Sequence, residues 1–357
     1  MEKRRIIYFV VACLCFGTVF LPGADTYPAQ LPKEITVDAI LRGAKQEGKL
    51  SWSSNLEEPE VKELHTAFQK EYPFIKINYK RIMGGEQRQR VISEMQAGLF
   101  PYDLMSIEAE SIDYFQKLNF LSDPLDWNRL FGVDQRMIHP KGFIVSIGNN
   151  PTGIYYNSTL VPKEHVPKTW ADCTNPYFKG KLSMDVRPVG LTHLMYAYGE
   201  EWVLDFTKKL LANNPKWVRG NVLATTMVAS GEHAISCVNG HGSWYRAGQG
   251  KAGYPVKFVF PEGPIVTGRE LLLTPVRGAP NPNAAILMTG WIASKGVKYL
   301  HTGRESIIHP DTELGAQVKQ MGREIKIVPW DMVIKSDALI NKILQIWGFP
   351  KPERSGG

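Results

Sequence analysis

The sequence predicts an α/β chain built on a parallel sheet and divided into two domains. Three observations carry that expectation. Strand-like and helix-like periods alternate from Lys49 onward, which is the rhythm of strand–helix–strand units whose helices cover a sheet. The 357 residues suffice for two domains of about 150 residues each. A Pro/Gly break, Asn149-Asn150-Pro151-Thr152-Gly153, interrupts an apolar run near mid-chain, as suits a crossover between two lobes.

The elements follow in order. KLSWSS (49–54) reads as a strand, and Asn55 stands where a helix cap is needed. Val61, Leu64, Phe68 and Tyr72 recur at helical spacing, and Ile75 to Tyr79 alternate as a strand. Gly84-Gly85 break the chain before a second helix, QRQRVISEMQAG. A third strand (Tyr102 to Ile107) and a third helix, ESIDYFQKL, follow. Phe143 to Ile147 and IYYN are strand-like pieces on either side of the NNPTG break. A second mixed region runs from Asn157 to about Val266. It holds KGKLSMDV (strand), LTHLMYAYGEEWVLDFTKKLLANN (one long helical pattern), MVASGEHAISCV (helix end, then strand) and YPVKFVFPEG (strand). Pro280, Asn281 and Pro282 separate the next strand from a helix, and SDALINKILQIWGF closes the pattern as a helix.

Composition narrows the class. With 43% hydrophobic and 22% charged residues the chain is globular rather than disordered. The opening MEKRR followed by IIYFVVACLCFGTVFLPGA has a basic head, an apolar stretch and small residues, the signature of an export signal. Cleavage is expected after Ala24, so 1–24 is a signal peptide and the chain is exported. A retained anchor, or lipidation at Cys13 in the lipobox-like Val10-Val11-Ala12-Cys13, are the alternatives. Removing the signal takes away Lys3, Arg4, Arg5 and Glu2, which lowers the net charge from +7 without abolishing the positive balance. The remaining basic residues are dispersed, so nucleic acid is not an expected partner. Cys173 and Cys237 remain after the signal. They can pair in an oxidising compartment, but sequence alone leaves that open. No CxxC or HxxxH spacing points to zinc. The mature protein is expected to be monomeric, without cofactor or metal.

In an open parallel sheet, ligands gather at the carboxyl ends of strands. Ser53-Ser54-Asn55, Gly84-Gly85-Glu86 and Ser106-Ile107-Glu108 sit there. Such small and hydroxylated loops expose backbone N–H groups at helix starts and favour an anionic or polar guest. Plain capping and turn formation is the simpler use of each. Enzyme chemistry finds no support: there is no G-x-S-x-G elbow, no H-E-x-x-H and no Walker A sequence. No catalytic residue is assigned.

Several phrases together resemble type 2 periplasmic solute-binding proteins of ABC importers, in the ferric-iron-binding-like group. They are EGKLSWSSNLEEPEVKELHTAFQKEYPFIKINY, GGEQRQRVISEMQAGLFPYDLM, GIYYNSTLVPKEHVPKTWADCTNPYFKGKLSMD, ASGEHAIS and RGAPNPNAAILMTGWIASKGVKYL, spanning roughly Glu47 to Leu300. The resemblance implies a two-lobe type 2 fold with a central cleft, hinge-crossing segments and closure on binding. Lobe one would comprise 25–148 plus 269–357, and lobe two 149–268. It also implies delivery of a small molecule to ABC permease subunits. Family cargoes include ferric iron, phosphonates, sugar phosphates, and thiamine-like and polyamine-like cations.

The cargo must therefore be read from the site. Iron-binding members carry paired tyrosines in a phrase shaped like N-N-Y-Y-W-F-R. The matching stretch here is Gly240-His241-Gly242-Ser243-Trp244-Tyr245-Arg246, so Gly242 and Ser243 replace the phenolates that a hard trivalent ion requires. The expected cargo is thus a small polar, anionic organic solute. Ferric iron, held by rearranged donors such as His241, Tyr155 and Glu108, is the alternative. Tyr155 is a candidate cleft aromatic and Tyr156 a packing residue. In lobe two, Arg187 can make a bidentate contact to carboxylate or phosphate, although a surface ion pair is its plainer use. Gly190, Thr192, Thr225, Asn239, His241 and Tyr245 complete the candidate jaw. Across the cleft stand Ser53, Ser54, Asn55, Gly85, Glu86 and Ser106.

Overall fold

The structure, a computed structural model, describes residues 35–82, 85–248, 253–301 and 303–349. The signal segment 1–24, Cys13, the leader 25–34 and Gly84 lie outside the described residues. In chain order the first elements are α1 (Val37–Glu47), β1 (Lys49–Ser54), α2 (Glu58–Glu71), β2 (Lys76–Arg81), α3 (Gly85–Gln96), β3 (Leu104–Ile107), α4 (Ile112–Lys117) and α5 (Trp127–Phe131). Strand β4 (Val145–Asn157) leads to β5 (Leu182–Asp185), α6 (Val189–Tyr198), α7 (Glu200–Ala212), β6 (Lys216–Val218), α8 (Asn221–Ala229), β7 (Ile235–Gly240), α9 (His241–Gly248) and β8 (Val256–Val259). Strand β9 (Ile265–Pro275) returns, followed by α10 (Pro282–Ser294), α11 (Glu313–Met321), β10 (Ile325–Ile327) and α12 (Met332–Trp347).

The strands run β2-β1-β3-β9-β4-β7-β5-β6, with β10 on β9 and β8 on β4. β1 is parallel to both β2 and β3, and β5 is parallel to β6 and β7, as the alternating pattern predicts. The first half of β4 pairs antiparallel with β9, from Val145 opposite Leu273 to Pro151 opposite Thr267. Its second half pairs with β7 and β8. These two long strands are the ribbon on which the two lobes are strung.

Each lobe buries both faces of its part of the sheet. On β3 and β9, Leu104 and Leu273 enter one cluster with α1, α2 and α10, while Met105 and Leu272 enter another with α3 and α4. That alternation is the period of two expected of strands covered on both sides. In lobe two, Ile154 faces a core built from α6, α7 and β5, and its neighbour Tyr155 faces a separate cluster with Val228 and Val256. A disulfide joins Cys173, on the turn Ala171–Thr174, to Cys237 on β7, which settles the pairing that the sequence left open.

Local chemistry explains several elements. The start of α10 is held by two carboxylates. Buried Asp103 accepts from Ser51 N and from Asn281 N and Nδ2, and Glu47 accepts from Asn283 N and Ala284 N. With Pro282 in its first turn, this accounts for the Ala-Pro-Asn-Pro-Asn phrase. The structure also corrects four expectations. Asn55 does not cap α2; Glu57 does, in a reciprocal box with Glu60. The long pattern 191–214 is two helices, because Gly199 adopts φ 85° between them. β4 runs unbroken through NNPTG, where Asn149 donates to Gly268 O and accepts from Ile307 N, so the irregular stretch keeps its partners. The C-terminal region also departs from the 269–357 assignment to lobe one. In α12, Leu339, Ile343, Leu344 and Trp347 pack in the lobe-two core.

Candidate functional site

A cavity of about 420 Å³ lies where the two lobes meet the ribbon. Lobe one contributes the ends of β1 and β3 through Asn55, Ser106 and Glu108. The ribbon contributes Gly268 to Leu272 of β9. Lobe two contributes the first turns of α6 through Val189, Thr192 and His193. The segment Val328–Pro329–Trp330 and the start of α12 form the remaining wall. This last segment joins the halves a third time: Trp330 packs with the lobe-one cluster of β3 and α3, and α12 packs in lobe two.

The charged groups of the wall differ in their company. Glu108 forms a two-pronged ion pair with Arg88. Glu270, half-buried, lies 3.6 Å from Arg304 and 3.4 Å from Asn150 Nδ2, and desolvation raises its carboxyl above the usual range. Arg246, outside the cavity lining, is pushed down by burial and by neighbouring Arg304, while Glu60 and Glu270 act in the opposite direction. Arg269 stands apart. Among the described residues no carboxylate lies within salt-bridge distance of it. It donates to the carbonyls of Val328 and Arg136, and its guanidinium lies 4.5 Å from the Trp330 ring centroid. Burial lowers its pKa to about 10. Arg269 Nε and Trp330 Nε1 are both buried without an acceptor. His193 is held neutral by burial, its pKa lowered to about 4, with Thr152 Oγ1 at 3.4 Å.

Backbone strain marks the same region. Leu271 and Val238, both non-glycine, take φ of 54° and 63°. Leu271 lines the cavity on β9, and Val238 sits beside the register shift between β4 and β7. Such conformations cost about 1–3 kcal/mol each and persist only where the surroundings enforce them.

Of the fourteen candidate residues, Asn55, Ser106 and Thr192 line the cavity, and Ser53 lines a small adjoining one with Asn55 and Ser106. Ser54 is turned inward, bonded to Tyr79 and Leu56 N. Gly85 and Glu86 open α3, and the Glu86 side chain lies outside the described residues. Arg187 binds Asp185 through Nε and Nη2, is half exposed, and lies outside the cavity lining. Tyr155 does not face the cleft: it is fully buried and donates to Gly240 O. Thr192 Oγ1 donates back to Val189 O, and Thr225 Oγ1 to Asn221 O. Asn239 is buried and bonds Ser236 and Cys237 O. His241 is buried, bonded to Gly303 O, and surrounded by Trp244, Phe258 and Phe260. Gly190 packs on the Val238 carbonyl, and Tyr245 on Gly303. The sequence reading missed Arg269 and Trp330. Nothing local in the sequence marks an arginine as lacking a carboxylate, because that depends on contacts far along the chain.

The comparisons with known proteins agree with this architecture. Residues 103–271 match the family described as bacterial extracellular solute-binding protein. An uncharacterised protein of Haemophilus influenzae is 31% identical over 164 residues, 43% of this chain and 46% of that relative. The chain thus spans about half the length of the curated relative it matches. Among solved structures, the Trichodesmium IdiA/FutA protein in complex with iron and citrate matches with a TM-score of 0.68 and 18% identity, over 85% of this chain and all of the other. A Bordetella ferric binding protein matches at 0.67 and 17%, over 84% and 99% of the two chains. Iron-bound HitA of Pseudomonas aeruginosa matches at 0.61 and 16%, over 83% and 99%. The fold is therefore that of the two-lobe periplasmic binding proteins. Residues 103–271 are thus similar to the extracellular solute-binding proteins, and the chain shares the fold of the ferric-ion-binding proteins it matches. That family is one of binding proteins rather than enzymes. Among the described residues no helix is long and apolar enough to cross a membrane.

Proposed function

We propose that this chain is exported to the periplasm, traps a small anionic organic solute between its lobes, and passes it unaltered to the permease of an ABC importer. The observation that carries the reading is Arg269: a half-buried cation in the cavity wall, its Nε buried without an acceptor, with only carbonyl oxygens and an indole face for company. A buried charge without a counter-charge is costly, and an anionic guest offsets that cost. Closure follows from the same logic. The closed form gains only what the guest binds better there than in the open form. The Cys173–Cys237 disulfide fits an oxidising compartment.

Ferric iron is the second reading, and the structural comparisons favour it, since the matched proteins are named for ferric iron. The donors of this site weigh the other way. Where the iron-binding phrase has its first tyrosine, this chain has Gly242, and a Cβ there would collide with the stem of Arg304. A guanidinium side chain thus takes the space of a phenolate. The rearranged donors are not gathered either: Tyr155 is bonded to Gly240 O, His241 to Gly303 O and Glu108 to Arg88.

Titration calorimetry and thermal shift on purified protein separate the two. Iron-free phosphonates, sugar phosphates and carboxylates form one arm, and ferric iron supplied as ferric citrate the other. The anionic reading predicts binding heat with an iron-free anion, and stabilisation of about 2.7 kcal/mol at a hundredfold excess over Kd. A phenolate-to-iron colour with ferric citrate, together with silence towards every iron-free anion, would establish iron instead.

A further inference from the structure

The lobe-two jaw was expected to offer hydroxyls and a guanidinium, yet the first turns of α6 and α8 also expose hydrocarbon. Val189, in the first turn of α6, is 50% exposed and lines the cavity. Val222 and Leu223, in the first turn of α8, are also about half exposed. Strands β5 and β6 are parallel neighbours, so α6 and α8 both begin at the same carboxyl edge of the lobe-two sheet. Beside Val189 the cavity is walled by Val328, Pro329, Trp330 and Ile340, with Ser336 and Asp337 of α12 at their edge. Arg269 lies over the Trp330 ring within this wall, which places a positive charge at the margin of an apolar surface. An exposed apolar patch inside a concave, charged site is the kind of surface a guest covers.

Resting on the anionic reading, we propose that the cargo is an amphipathic organic acid. Its anionic head faces Arg269, and its hydrocarbon body, about one ring in size, lies against Val189, Ile340 and the Trp330 wall. Polar groups of the guest meet Asn55 and Ser106 on the opposite jaw. Specificity then comes from two sources: charge selects acids, and apolar area selects those with a body.

The test uses matched pairs that share a head and differ in body: phenylphosphonate against methylphosphonate, and benzoate against acetate. Each is titrated calorimetrically into purified protein, with ferric citrate as a separate arm. The expected result is that the phenyl member of at least one pair binds tenfold or more tighter. Val189→Ser, at a half-exposed position, should shrink that preference at least threefold, with folding checked by the urea midpoint. If methyl and phenyl members bind equally, or the methyl member binds tighter, the amphipathic cargo is wrong and the anionic reading stands. If no iron-free anion binds, both are wrong.

Discussion

The two jaws of the cleft solve the same task with different chemistry. Lobe one ends β1 and β3 in polar groups that reach the cavity: Asn55, Ser106, and Glu108 in its pair with Arg88. Lobe two has a comparable supply of hydroxyls and amides at its strand ends, but they are turned back into the protein. Thr192 and Thr225 donate to carbonyls three and four residues earlier, and Asn239 and His241 are buried in local bonds. Val189, in the first turn of α6, remains half exposed in the cavity wall. The lesson is that a threonine in the first turns of a helix is a doubtful sign of an outward donor, because the preceding turn offers its hydroxyl a nearby acceptor. The apolar neighbours on the same turn are then left to meet the guest.

The largest expected effect falls on lobe two alone. Replacing Cys173 and Cys237 together by Ala opens a link closed over 64 residues, which should cost roughly 4 kcal/mol. Urea unfolding followed by hydrogen exchange should show β5 and β7 losing protection before β1 and β3. Simultaneous loss in both lobes would show that the lobes share one cooperative unit.

Acid comes next. His193, half-buried, and His241, buried, are neutral, their folded pKa values near 4 against 6.5 in the open chain. The unfolded chain therefore takes up protons first as pH falls. The stability from this source is complete above about pH 6.5 and is lost between there and pH 4, on the order of 3 kcal/mol for His193 alone. His193→Gln should flatten part of that loss. Equal urea midpoints at pH 7 and pH 4.5 for the unmodified protein would refute the assignment.

In lobe one, Asp103→Ala removes the acceptor of Ser51 N and of both Asn281 donors. Stability should fall by about 1–3 kcal/mol, read by urea unfolding, with ligand affinity unchanged. The smallest effect is expected at Arg187. Its guanidinium already holds Asp185 away from the cavity lining, so Arg187→Ala should alter anion affinity by less than about 0.5 kcal/mol. A tenfold loss by calorimetry would return Arg187 to the site.

Much of the architecture was legible because it is written locally. The strand at 49–54, the helix at 58–71 and the strand–helix–strand that follows lie where alternation and helical spacing place them. Boundaries failed where one residue overrode a pattern, as Gly199 does in splitting α6 from α7. They failed too where a distant segment supplied missing partners, as residues 268 and 307 do for Asn149 in β4. Helix α1 (Val37–Glu47), capped by Thr36, lies in the stretch before Lys49 to which the sequence pattern assigned no element. The site was less legible than the fold. Loop composition located the lobe-one jaw, because strand ends are readable from periodicity. Arg269 and Trp330 meet only through folding, 61 positions apart on β9 and beyond β10, and no periodicity reports such a meeting.

The account turns on whether the Arg269 charge receives the guest. The decisive measurement is the affinity of Arg269→Gln and Arg269→Lys for the tightest iron-free anion, with folding checked by urea midpoint. A charge-assisted role predicts a loss of about 1.5–3 kcal/mol for Gln and a smaller loss for Lys, which keeps the charge but not the planar fork. Undiminished binding by a well-folded Arg269→Gln protein would contradict it.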